Sequence, residues 1–233
     1  MRRSLRRATV VAEMQARELL RRRTAIVMLL ALPLALYGAL AGTSPQIASA
    51  AAGVGLGWSV AGAALFSVLA SRRVDPRLVL VGFRPFELLL GRLLFLLAFS
   101  MVLVGAFSAL ISEASNAAHP WALALGIGLT TVVAVPLGLA LAALLPRELE
   151  GTLALIGVVG IQLALPVTAT LAAFLPLYGP LRLIEGSLAN GGAVAVPSLH
   201  ALGFAAGFLA LAVALWARRV RARAHVPVPV ETP

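Results

Sequence analysis

The sequence predicts an all-α integral membrane protein with six transmembrane helices and both termini cytoplasmic. Two observations carry this. First, six apolar stretches, 25–41, 47–70, 93–111, 121–145, 153–175 and 199–217, alternate with short polar gaps. Each can cover a hydrocarbon core of about 30 Å, which takes ~20 helical residues with some tilt. Second, every basic residue apart from the three His is Arg, and all the Arg but Arg182 lie before the first stretch, in every second gap, or after the last. An even number of spans therefore satisfies the positive-inside bias throughout, and an odd number would put one cluster on the wrong side.

Composition agrees. The chain has 233 residues, 61% of them apolar and 12% charged, and a mean hydropathy of +0.98. A soluble domain would carry far more polar surface. The transmembrane domain, 25–217, leaves no room for a second folded unit. A net charge of +10 does not mean nucleic acid, because the Arg residues flank spans, where they anchor to the lipid membrane's anionic headgroups. There is no Cys, hence no disulfide, thiolate metal site or thiol nucleophile. Lys is also absent, and a Walker A loop or a kinase needs one at the phosphates. Any ATP-driven role would need a separate ATPase.

Residues 1–24 are Arg-rich and free of Gly and Pro, so a cytoplasmic surface helix is expected, although their large apolar residues form no clean sector. Arg2-Arg3-Ser4-Leu5 is similar to a twin-arginine signal and Ala48-Ser49-Ala50 to a cleavage site. The apolar segment begins too late and runs too long for either. Span one contains Pro33, which removes a backbone hydrogen bond. Span two holds Gly53-x-x-x-Gly57, which allows close helix approach and suits a dimer seam.

The loop 71–92 is the richest in signals. Asp75-Pro76 reads as a helix start, with Asp75 as N-cap and Pro76 as first helical residue. Leu78, Leu80 and Val81 form one apolar face, Gly82 ends the helix, and Arg84-Pro85 forces a turn. Pro85-Phe86-Glu87 then opens the helix into span three. Spans four and five form a hairpin about Arg147, Glu148 and Glu150. Thr130 and Thr131 in span four, and Gln162, Thr168 and Thr170 in span five, are polar groups at membrane depth, where such groups face the bundle interior or a cavity. The segment 174–200 is apolar but broken by Pro176, Gly179, Pro180 and Pro197, as a piece on the outer face would be. Arg182 and Glu185 within it are spaced to pair. Residues 218–233 read as a disordered cytoplasmic tail.

Catalytic constellations are missing. There is no H-E-x-x-H, no G-x-S-x-G, and no acid or base in mid-span to couple ion flow. No catalytic or metal-binding residue is assigned. A membrane-embedded enzyme is therefore disfavoured, and a transporter powered from outside the membrane, or a non-transporting scaffold or assembly factor, stays open.

The order of parts resembles the membrane subunit of an ABC-2 type ABC transporter. These parts are a basic N-terminal helix, a first span with internal Pro, an uncharged outer turn, a basic helical second loop and a broken outer segment before span six. Within the loop, Arg84-Pro85 followed by Gly91-Arg92 is similar to the family's Ser-Pro followed by Gly-Lys. Arg72 and Arg73 stand where the family often has Glu-Arg-x-x-Gly-Thr. The Gly-Thr is missing there, and Glu150-Gly151-Thr152 occurs one cytoplasmic loop later. The resemblance implies an exporter permease in the inner (plasma) membrane. It would pair with a second permease subunit, identical or not, and with an ATP-binding cassette ATPase that holds ATP and Mg, this chain binding no cofactor itself. It implies a coupling element over 75–87, with Asp75, Arg77, Arg84, Pro85, Phe86 and Glu87 touching the ATPase and the helix 5–23 beside it. A substrate path at the subunit seam would draw on Gln162, Thr168, Thr170, Gly53 and Gly57. A haem exporter shares this architecture, but no residue marks haem.

Overall fold

The computed structural model describes residues 2–72, 74–145, 147–188 and 193–223, with side chains for 4–218 of these. Among the described residues every regular element is helical. Five helices are long and apolar enough to cross a membrane. They are α2 (Arg23–Leu40), α3 (Pro45–Ser71), α5 (Pro85–Ser115), α6 (Pro120–Leu144) and α9 (Ala195–Arg223). α1 (Arg2–Arg21) precedes them, and α4 (Asp75–Leu80) joins α3 to α5. α7 (Glu148–Ala164) and α8 (Tyr178–Ser187) lie between α6 and α9. The chain is a multi-pass helical membrane protein.

α3 and α6 form the centre, buried over 72% and 78% of their most apolar stretches, while α2 is only 11% buried. Small residues bring the central helices together, since lipid is as apolar as a side chain and close packing has to drive association. A Cβ at Gly138 would collide with the Ala61 carbonyl oxygen, so the α3 and α6 backbones touch there. Gly55 likewise receives the buried Pro33 of α2, whose Cα would lie 2.8 Å from an added Cβ. Gly53 and Gly57 are spent the same way. Added Cβ atoms would lie 2.6 Å from Ile184 of α8 and 2.9 Å from Thr130 of α6. Their close approach is therefore made inside the chain and not at a seam with a second subunit.

The stretch 153–175 is not one helix. α7 ends at Ala164 because Pro166 forces Leu165 into extended backbone, with φ −94° and ψ 123°. The chain then makes a short 3-10 turn, Thr170–Phe174, and re-enters the bundle as α8. α8 buries Pro180, Leu181, Leu183 and Ile184 against α3, α6 and α9. Ile184 reaches Gly126, six residues into α6 and so about 9 Å below its start. α9 carries Pro197 in its first turn, where the missing N–H needs no partner. It continues through Arg223, into the segment expected to be disordered tail; residues 224–233, with His225, lie outside the described residues.

Candidate functional site

The predicted coupling residues converge where α1, α4 and the first turns of α5 meet. The segment leaving α3 is anchored first. Arg72 Nη2 donates to the Ala142 and Leu145 carbonyls at 2.6 and 2.9 Å. Its charge thus sits on the C-terminal end of α6, the end that favours cations. Arg73 and Pro146 lie outside the described residues.

α4 starts one residue earlier than expected. Val74 is its N-cap and Asp75 its first residue, with no side-chain cap. The Asp75 carboxylate turns inward instead and accepts from Arg92 Nη2 at 2.5 Å. Arg92 is 1% exposed, and its guanidinium carbon lies 5.5 Å from the centre of the Trp216 ring on α9. One buried cation therefore ties α4, α5 and α9 together. At its other end α4 closes as a Schellman motif. Gly82 N–H donates to Val79 O and Phe83 N–H to Leu78 O, each at 3.0 Å. Gly82 has φ +98°, a backbone that only glycine takes without strain.

α1 braces this turn. Arg7 Nη1 donates to the Gly82 carbonyl at 2.5 Å and lies 3.6 Å from Glu87 Oε2. Its guanidinium carbon sits 5.6 Å from the centre of the Phe83 ring. Glu87 Oε2 in turn accepts from the Arg84 backbone N–H at 2.9 Å, which caps α5 at the end that favours negative charge. α1 can come this close because position 91 is glycine. A Cβ there would lie 2.6 Å from both the Ala8 carbonyl oxygen and Val11 Cβ.

The six predicted residues thus divide. Asp75 and Glu87 face inward and hold the unit together, and Pro85 opens α5. Arg77, Arg84 and Phe86 face outward. Beside them stands an apolar tip of Leu80 and Val81, 87% and 79% exposed. No described side chain covers it, although it sits on a turn fixed by several bonds. Sequence reasoning missed the roles of Arg7 and Arg92. Each is one Arg among many, and only the fold singles them out.

The residues assigned to a substrate path do not gather. Gly53 and Gly57 face α8 and α6, as described above. Gln162 is buried, and its Oε1 accepts from the Leu177 N–H at 3.1 Å, pinning the last turn of α7 to the approach to α8. Thr168 and Thr170 are exposed beyond the end of α7. Thr130 and Thr131 turn their hydroxyls back to Gly126 and Gly128 of their own helix. Arg182 and Glu185 form no ion pair within 4.0 Å among the described residues. Burial raises the Glu185 pKa, with Arg182 opposing the shift at longer range. Among the described residues no group of three His, Cys, Asp or Glu could hold a metal ion.

The chain matches no known protein family and no curated protein.

Proposed function

We propose that this chain is the membrane-spanning subunit of an ATP-driven exporter of the ABC-2 type, working with a separate ATP-binding cassette ATPase. The observation that carries the reading is the α4 tip. Leu80 and Val81, outside every helix long enough to span, and Phe86, in the first turn of α5, are exposed on the arginine-rich side. An exposed apolar patch held on a braced turn suits a contact with a partner protein. The bracing also suits force transfer. A push on α4 reaches α5 through the Asp75–Arg92 pair, α9 through Trp216 and α1 through Arg7. In this reading α7 completes six crossings, the arginine-rich side is cytoplasmic, and two such subunits form the path in the plasma membrane. ATP and Mg belong to the partner, since the chain has no Lys to cradle phosphates.

The test is purification of the tagged chain from its native membrane in mild detergent, with partners identified by mass spectrometry. A Walker-A-bearing ATPase is expected in equal amount. Leu80→Asp with Val81→Asp should abolish its recovery without lowering the thermal unfolding temperature, because both side chains are exposed. Arg84→Glu should keep the complex and lower export per ATP hydrolysed. A chain that stays alone after cross-linking would instead favour a scaffold or assembly factor.

A further inference from the structure

Beside the α1–α2 junction the surface carries a cleft of about 380 Å³. It is walled by the end of α1, the first half of α2, the second half of α3 and the start of the apolar part of α5. Along α3 it runs from Trp58 to Ala70, about 18 Å at the ~1.5 Å rise of a helix. That is slightly more than half of a ~30 Å hydrocarbon core, so the cleft is one leaflet deep.

Its chemistry is graded along this length. The deep part is lined by Leu32, Trp58 and Leu96, among others, and the α1 end by Gln15, Glu18 and Arg22. The buried Ser59 hydroxyl on the wall has no partner among the described residues. It asks for no polar ligand, because a serine can turn to a carbonyl of its own helix, as Ser67 does to Ala64 at 2.9 Å. The charges that line the polar end balance, and the surface beside it is basic. Glu13 and Glu18 are taken up by Arg17 and Arg22, at 2.5 and 2.6 Å. Arg21 and Arg23 flank the cleft-lining Arg22 in sequence without lining the cleft themselves; both are exposed and have no acidic partner among the described residues.

A slot one leaflet deep, apolar inside and with unpaired arginines beside its rim, complements a membrane lipid carrying negative charge. We propose that the cleft holds one acyl chain of an anionic phospholipid from the arginine-rich side, its headgroup lying against Arg21 and Arg23. The lipid's second chain would lie on the outer face of α2, where Val27 is 56% exposed. Such a lipid would wedge between α1 and α2. This inference needs only membrane insertion and stands whether or not the chain exports anything.

The experiment uses the full chain in nanodiscs of equal phosphatidylglycerol and phosphatidylcholine with matched acyl chains. Lipids that stay bound on release are counted by native mass spectrometry. The expected result is retained lipid enriched in phosphatidylglycerol. Arg21→Gln and Arg23→Gln should each lower that enrichment, by roughly fivefold for a headgroup beside the side chain. Ala63→Phe fills the cleft and should remove the retained lipid, whereas Val102→Phe, on an exposed part of α5, should keep it. Ala70→Trp at the rim replaces Ala63→Phe if that variant unfolds at a lower temperature. Equal retention of the two lipids by the wild type, or undiminished retention in the filled variant, would overturn the proposal. So would chain-to-chain disulfide formation by Met28→Cys, which would show that a second copy covers the cleft.

Discussion

Arg92 is the residue on which the α4 region turns. It is 1% exposed, and among the described residues only the Asp75 carboxylate lies within hydrogen-bonding distance to offset its charge, with the Trp216 ring face nearby. Removing one partner from a buried pair leaves the other charge uncompensated, which costs about 3–5 kcal/mol. Asp75→Ala should therefore lower thermal stability in detergent sharply. Arg92→Met combined with Asp75→Leu should recover much of the loss, because a packed apolar pair often replaces a buried ion pair at little cost. Unfolding followed by intrinsic fluorescence checks both, and Trp216 lies next to the change. A double variant no better than Asp75→Ala would show that the pair itself specifies the α4 position. Sequence reasoning found Asp75 but gave it a capping role. The Asp-Pro spacing was real, whereas the competing cation lay seventeen residues away on another helix. No local pattern reveals that choice.

At the scale of elements, α1 shows how a weak pattern hid a firm contact. Its large apolar residues scatter, with Leu5, Val10, Met14 and Leu20 all exposed. The covered stripe runs instead through Ser4, Ala8, Ala12 and Ala16, four residues apart, with Val11, Gln15 and Leu19 alongside. Alanine carries little hydrophobic weight on a helical wheel, yet it lets α1 lie close against Gly91. Gly91→Leu should lift α1 from α5 and speed limited proteolysis before Arg23. Gly105→Leu, a glycine of the same helix with nothing within 4 Å of an added Cβ, should not. Gly82 is a second such point, and this one was legible. Glycine after a short apolar run announces a helix end, and the Schellman bonds at φ +98° carry it out. Gly82→Ala should destabilise the tip by about 1 kcal/mol. The break after α7 was half legible. Pro166 signals a break, but the apolar run 153–175 has the length of one span, and the Gln162 bond that turns the chain back spans 15 residues.

For the whole molecule, the alternation of apolar and basic segments gave five spanning helices close to their observed bounds, because hydropathy and the need to satisfy backbone groups leave little choice in lipid. The count of crossings rests on α7. It has 17 residues, about 25 Å, at the lower limit of ~17–25 for a span. Its first turn carries Glu148 and Glu150 beside Arg147, and the rest is apolar to Ala164. Arg147 lies on the side of α1 and α4 once α6 has crossed, and a crossing α7 puts α9's arginines there too, which the positive-inside bias favours. The chain has no Cys, so single cysteines report their side directly. In right-side-out vesicles treated with an impermeant maleimide, Thr43→Cys and Thr168→Cys should be labelled. Leu80→Cys and Leu149→Cys, both on exposed positions, should be protected until the vesicles are opened. Protection of Thr168→Cys together with Leu149→Cys would mean that α7 returns without crossing. α9 would then end on the opposite side from α1, its arginines would oppose the bias, and a six-crossing exporter subunit would no longer be tenable.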